Sequence, residues 1–238
     1  MEISKGIEIV DLGLRIGNIL IIADLHIGFE EALNKQGILV PRFQFNDLRS
    51  RLRNMIRKAR PQTIVVNGDI KHEFGRVSEQ EWRETLKILD LLLESSKEVV
   101  LVKGNHDTIL GPIAGKRGVR ITDSYEIEDR GILVMHGHET TGIPKHIRTI
   151  ITAHEHPAVS IRDGPRVEVF KCFLKGSWKG KELIVMPSLN LATEGSDITK
   201  EDILSPFLDQ RMDDFEVFVV GDTTYDFGRL GDIDNRLG

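Results

Sequence analysis

The chain has 238 residues, 40% hydrophobic and 29% charged, enough for one sizeable core, so residues 1–238 are expected to form a single domain. A formal net charge of -5 and a pI near 5.9 exclude a surface that is one polyanion trap, while leaving room for local basic patches. The single cysteine, Cys172, excludes an internal disulfide and a thiolate metal cluster, and with no signal-like start and no apolar run near the roughly 18 residues of a membrane span, a soluble cytoplasmic protein is expected.

Glu8 to Leu12 and Asn18 to Ala23 are expected strands, the second almost continuous in Ile and Leu, as in a strand buried on both faces. It ends in Asp24-Leu25-His26, where alternation sets Asp24 and His26 on the same side of the chain. A short acidic helix from Phe29, a loop with Gly37 and Pro41, and a helix from Phe45 to Ala59 follow. In the longer helix Phe45, Leu48, Leu52, Met55, Ile56 and Ala59 share one face, the spacing of a helix packed on a sheet. Pro61 closes it, and the strand Thr63 to Val66 runs into Asn67-Gly68-Asp69-Ile70-Lys71-His72. Ser78 to Ser95 predicts a second amphipathic helix, with Ser78 as N-cap, Glu81 at the capping-box position and Trp82, Leu86, Leu89 and Leu93 inward. The strand Glu98 to Val102 ends in Gly104-Asn105-His106-Asp107. Strand, helix, strand, helix, strand, with polar residues after each strand, predicts a parallel sheet whose rim collects ligands.

From Val119 onward the expected elements are short strands: Val119 to Ile121, Tyr125 to Ile127, Gly131 to Met135, Thr149 to Thr152, Ala158 to Ile161, Val167 to Phe173, Leu183 to Met186, Glu216 to Val220 and Thr224 to Phe227. Turn dipeptides such as Asp163-Gly164, Lys179-Gly180 and Gly221-Asp222 separate them, which predicts a second, more antiparallel sheet packed on the first. Two of these strands end in His136-Gly137-His138 and His154-Glu155-His156.

Of the eight histidines, all but His146 fall at or just beyond predicted strand ends. One histidine there is ordinarily a satisfied structural residue. His26, His72, His106, His136, His138, His154 and His156 together, mixed with Asp24, Asp69 and Asn105, point instead to metal binding. Carboxylate, imidazole and amide donors without thiolate suit manganese, iron, zinc, nickel or cobalt better than calcium or magnesium, which prefer oxygen shells.

The ordered set DLH at 24 to 26, GDIKH at 68 to 72, GNHD at 104 to 107, HGH at 136 to 138 and HEH at 154 to 156 resembles the five motifs of the calcineurin-like metallophosphoesterases. The segments ADLHIGFEEAL, NGDIKHEFG, AHEHP and MPSLN are similar to the prokaryotic and archaeal ICC-like, ligase-associated subfamily. The resemblance implies an α/β, four-layer α-β-β-α fold, two packed mixed β-sheets flanked by helices. It implies two divalent metal ions, manganese first among the candidates, one held by Asp24, His26, Asp69 and His156 and the other by Asp69, Asn105, His136 and His154. Asp69 would be shared, and a hydroxide bridging the two ions would attack phosphorus. His106 would face the phosphate, stabilising transition-state charge or protonating the leaving group.

Position 72 is His where many members have Asp, so His72 is expected either to act beside His106 or to orient it. Asp107, grouped with these two, is expected to position His106 and its loop. His136 is preferred to His138 as a ligand because it directly follows the strand Leu133 to Met135, and Ala153 stands where glycine is commoner. Asn190 is an expected substrate contact. The implied activity is that of a phosphodiesterase acting on a cyclic nucleotide or a nucleic-acid phosphodiester. A phosphomonoesterase, a DNA-repair nuclease and a non-catalytic scaffold of the same fold are the alternatives. The expected partner is a phosphate-ester substrate, nucleotide or nucleic acid included, with no membrane, and a homo-oligomer stays open. The basic residues Arg49, Arg51, Arg53, Arg57 and Lys58, between Arg42 and Arg60, are read as a solvated helix face rather than a nucleic-acid strip, since no aromatic residue falls among these five.

Overall fold

A computed structural model describes residues 1–38, 44–73, 78–107 and 110–236, so Pro41, Arg42 and the Phe74-Gly75 end of NGDIKHEFG lie outside the described residues. The first sheet contains, in spatial order, β1 (Glu2–Ser4), β2 (Ile7–Val10), β3 (Gly13–Ile16), β4 (Ile19–Ala23), β5 (Thr63–Asn67), β6 (Glu98–Val102) and β7 (Arg120–Thr122). β1 to β4 run antiparallel and β4 to β7 parallel. The parallel strands are joined through α1 (Phe29–Lys35), α2 (Gln44–Ala59), α3 (Glu79–Ser95) and α4 (Gly111–Gly115). Ala23 pairs with Asn67 and Asn67 with Val102, so the loops carrying the first three motifs leave the sheet at one level.

The strand at Arg120–Thr122, expected in the second sheet, belongs to the first. It lies parallel to β6, and the short α4 before it serves as the crossover that a parallel neighbour requires. α2 buries Leu48, Leu52, Met55 and Ala59, as its spacing predicts. α3 is rotated from expectation: it buries Glu81, Thr85, Ile88, Leu89, Leu91 and Leu92, while Trp82, Leu86 and Leu93 flank the contact half-buried.

The second sheet is built from β8 (Ser124–Ile127), β9 (Ile132–Met135), β10 (Thr149–Thr152), β11 (Pro157–Asp163), β12 (Arg166–Trp178), β13 (Lys181–Val185), β14 (Ser196–Asp197), β15 (Glu216–Val220) and β16 (Thr224–Arg229). Its order is β14-β11-β12-β13-β10-β9-β8, with β15 on β12 and β16 on β15. β9, β10 and β13 are parallel, whereas β11, β12, β13, β15 and β16 are linked by antiparallel pairs, so both sheets are mixed.

Side chains alternate across each strand and so divide the core in two. Val134, Ile151, Phe173, Ile184 and Phe218 join the first sheet and its helices in one apolar cluster. Their neighbours Leu133, Met135, Ile150, Leu174, Val185, Val217 and Val219 face the other side, against Phe207, Leu208, Phe215 and Ile233. The outer layer on that side is therefore the segment 198–215 together with α5 (Leu230–Arg236), beside two sheets and the helices of the first. Among the described residues no helix is long and apolar enough to cross a membrane.

Candidate metal centre

Six predicted donors meet where the two sheets face each other. Asp24 and His26 come from the loop after β4, Asp69 from the loop after β5, His136 from the end of β9, and His154 and His156 from the loop after β10. Their ligand atoms form two groups, Asp24 with His26 and His156, and Asp69 with His136 and His154, each within 4.8 Å. A third group, His26 with His72 and His106, adjoins the first. His146 belongs to none of these groups, being exposed and paired with Glu126.

The Asp24 carboxylate accepts the His154 backbone N–H at 3.0 Å and lies 3.1 Å from His136 Nε2 and 3.2 Å from His156 Nε2. Asp69 Oδ1 accepts the His106 N–H at 2.9 Å, and its Oδ2 lies 3.4 Å from His136 Nε2 and 3.8 Å from His26 Nε2. The backbone is bent to make this possible. Asp24, His26, Asp69, His154 and His156 all have positive φ, between 36° and 67°, a region costly for non-glycine residues and frequent at functional sites. Gly68 is required where it stands, with φ 81° and a Cβ that would sit 2.0 Å from His136 Cδ2.

Burial pushes the Asp24 carboxyl up, but the charge on His156 and hydrogen bonds from His136 and His156 overcome it and hold the group well below the usual range. Asp69 goes the other way, raised to about 6 by burial that His136 only partly offsets. Burial alone would lower the pKa of His136, and the hydrogen bond and charges of Asp24 and Asp69 raise it instead. His154 is lowered to about 4 and His26 far down, both chiefly by burial.

The donors fit a divalent metal. Two buried carboxylates and four imidazoles converge, and the Asn105 Oδ1 is a buried acceptor with no hydrogen-bond partner, a donor atom of the kind that suits a cation. His26 Nε2 and His156 Nε2, 3.2 Å apart, present two nitrogens to one point. The alternative ligand His138 lies behind His136, with Nδ1 to Nδ1 at 3.1 Å, so His136 turns its Nε2 to the carboxylates and its Nδ1 to His138.

The His106 ring turns Nδ1 to the His72 carbonyl and lies with Nε2 4.0 Å from Asp69 Oδ2. His72 stacks on His106 with ring centroids 5.5 Å apart and meets Phe29 edge-on at 4.7 Å. The His72 backbone carbonyl thus engages His106 Nδ1 while its ring stacks on the His106 ring. Asp107 accepts the Gly104 N–H at 3.0 Å, closing the loop on itself, and burial raises its pKa to about 6. The Asn190 N–H donates to the Asp24 carbonyl at 3.1 Å and its Oδ1 accepts from the Ala192 N–H, while its buried Nδ2 has no partner. Arg51 is bound to Asp11 and Arg49 stands over the Phe45 ring, whereas Arg53, Arg57 and Lys58 are exposed on α2.

Several supporting residues were given no role by the sequence, even where they fall inside its motifs. Ser188 Oγ donates to the Asp24 carbonyl at 2.7 Å, and half-buried Lys171 donates to the Ser188 and Asn190 carbonyls. Glu155, between the two histidines of its motif, accepts the Leu204 and Ser205 N–H groups. Only the setting of Lys171, after Val169 and Phe170 in an apolar strand, was a signal that it is partly covered.

Nuclease MPE from Pseudomonas putida is 16% identical to this chain and superposes with a TM-score of 0.60, covering 92% of this chain and 93% of that one. YfcE, a phosphoesterase from E. coli, is also 16% identical, with a TM-score of 0.46 over 89% of this chain and 97% of its own. No curated protein matches the chain. Residues 17–223 match the calcineurin-like phosphoesterase family. With that match spanning most of its length, the chain belongs to the calcineurin-like phosphoesterases, metal-dependent hydrolases of phosphoric esters.

Proposed function

We propose that the protein is a two-metal phosphodiesterase of nucleotide or nucleic-acid phosphodiesters, with residues 1–238 acting as one domain in the cytoplasm. Asp24, His26, Asp69 and His156 would hold one cation, and Asp69, Asn105, His136 and His154 the other, manganese being the first choice. The Asp69 carboxylate carries this reading, since its Oδ2 stands 3.4 Å from His136 Nε2 and 3.8 Å from His26 Nε2, between the two donor groups. Divalent cations bound there would supply Lewis acidity, neutralising phosphoryl oxygens and lowering the pKa of water towards neutrality.

The chain's own groups provide the rest. With Nδ1 engaged by the His72 carbonyl, His106 offers Nε2 to a phosphoryl oxygen or to the leaving oxygen. Burial lowers the pKa of both His106 and His72, so both rings are neutral at pH 7 until an anion arrives. A phosphate brought close favours the protonated form, so substrate binding itself primes His106 as a proton donor. Asp107 keeps the loop in place by its bond to Gly104, and Asn190 stands beside Asp24 as a candidate substrate contact. The preference for a diester draws on the motif set and on the nuclease activity named for the P. putida protein.

Hydrolysis of bis-p-nitrophenyl phosphate and of p-nitrophenyl phosphate with manganese tests the assignment. Faster diester turnover is expected, and a strong monoester preference would overturn the diester choice. Elemental analysis should find two metals per chain, with both weakened in Asp69→Asn. His106→Ala should keep its metals and lose roughly 10² to 10⁴ in turnover.

A further inference from the structure

We propose that Lys71 is the positioning residue of His106, a buried ammonium that latches the loop after β5 to the loop after β6. The proposal rests on the role given to His106 above. The Lys71 side chain has no exposed surface and is, with Phe173 and Phe207, among the largest so completely buried in the described residues. Its Nζ donates to two backbone carbonyls, those of Glu73 and His106, one in each loop. A buried charge is tolerated only when hydrogen-bonded, and among the described residues no carboxylate forms an ion pair with this one.

The backbone around Lys71 is held from both sides. Lys71 forms an isolated parallel bridge with Ile27, and the His72 N–H donates to the Ile27 carbonyl at 2.9 Å. From α3, Glu81 Oε1 accepts the N–H groups of His72 and Glu73 at 3.0 Å each. The peptide groups at 72 and 73 are therefore gripped by Glu81 on their N–H side and by Lys71 on the Glu73 carbonyl. That fixes the direction of the His72 carbonyl, which receives His106 Nδ1. Lys71 also holds the carbonyl of His106 itself, so the residue is secured at its backbone and at Nδ1, with Nε2 directed to within 4.0 Å of Asp69 Oδ2. A lysine suits this task because its compact ammonium has three donors on a flexible stem. It also adds positive charge beside an anion site without offering an acceptor that would compete for metal.

The decisive comparison uses the manganese-loaded full chain and bis-p-nitrophenyl phosphate. Lys71→Met should lower kcat roughly 10- to 100-fold, the range for groups that orient catalytic residues, with little change in KM or metal content. Added to His106→Ala, the same substitution should cost nothing further. An unchanged kcat, or an equal loss in both backgrounds, would overturn the proposal. Heteronuclear NMR reads the latch without activity: wild-type protein should show a slowly exchanging Lys71 NζH₃⁺ signal and His106 as the Nδ1–H tautomer. A rapidly exchanging ammonium, or the Nε2–H tautomer, would refute it even if Lys71→Met does not fold. If wild-type protein hydrolyses neither ester, the phosphoesterase assignment fails, while the NMR still decides the latch.

Discussion

At the residue scale the centre is defined by close approaches that leave no spare atoms. A Cβ on Gly104 would lie 2.0 Å from Asp69 Oδ1 and 2.4 Å from its backbone nitrogen, and backbone cannot yield as a flexible side chain would. Gly104→Ala should therefore displace the Asp69 carboxylate and weaken manganese binding roughly 10- to 100-fold while the chain still folds, as titration calorimetry would measure. Unchanged affinity would show that Asp69 has room to move. The donors themselves were readable because each interrupts an apolar strand with a polar residue: Ala23 gives way to Asp24, Met135 to His136, Thr152-Ala153 to His154. The burial of Lys71, Glu81 and Glu155 was not readable, since a charged residue near a turn or a helix start ordinarily reads as solvated. Only the closing of other loops over them makes them interior.

At the element scale, periodicity served where an element was long. α2 shows its buried stripe in its sequence, and Leu52, fully buried beneath it, should cost about 2–5 kcal/mol when truncated to Ala, read from urea unfolding. The Ser78 Oγ accepts the Glu81 N–H at 3.1 Å, so Ser78→Ala should remove about 1 kcal/mol of stability. A loss below a few tenths would mean that Glu81, gripping His72 and Glu73, anchors that end of α3 alone. Elements without a period were missed. β1 and β14 have three and two residues, α4 has five, β3 alternates too briefly, and α5 is largely polar. β7 was recognised as a strand but assigned to the wrong sheet, because pairing depends on the crossover before it and not on its own three residues. α3 was recognised with its cap, yet its face is rotated by the demand that Glu81 turn inward.

At the scale of the whole molecule, the segment after β13 stitches the sheets together. Met186 N–H donates to Thr152 in the second sheet, and Leu189 N–H donates to Ala23 in the first. Lys171 secures that segment, and burial lowers its pKa from 10.5 to about 8. Below about pH 8 the lysine is charged in both states and the folded state bears the full desolvation penalty. Between about 8 and 10.5 the unfolded chain binds more protons, so stability rises with pH, and above that window the penalty is gone. Across it, metal-free wild-type protein should gain up to about 1.4 kcal/mol per pH unit relative to Lys171→Met. Parallel pH profiles would show that Lys171 titrates as it does in the unfolded chain.

The donors that meet at Asp24 are distant along the chain: 112 residues separate it from His136, 130 from His154 and 164 from Ser188. Closing loops of that length precedes any reward from the contacts they bring, so the centre should be absent from the folding transition state. Manganese at about 100 times its Kd should then leave the refolding rate unchanged and slow unfolding by roughly 100-fold, seen by stopped-flow fluorescence. Faster refolding with manganese would place the centre among the first structures to form. The ions would otherwise act as a late lock, setting how long the native fold persists and not how quickly it is reached.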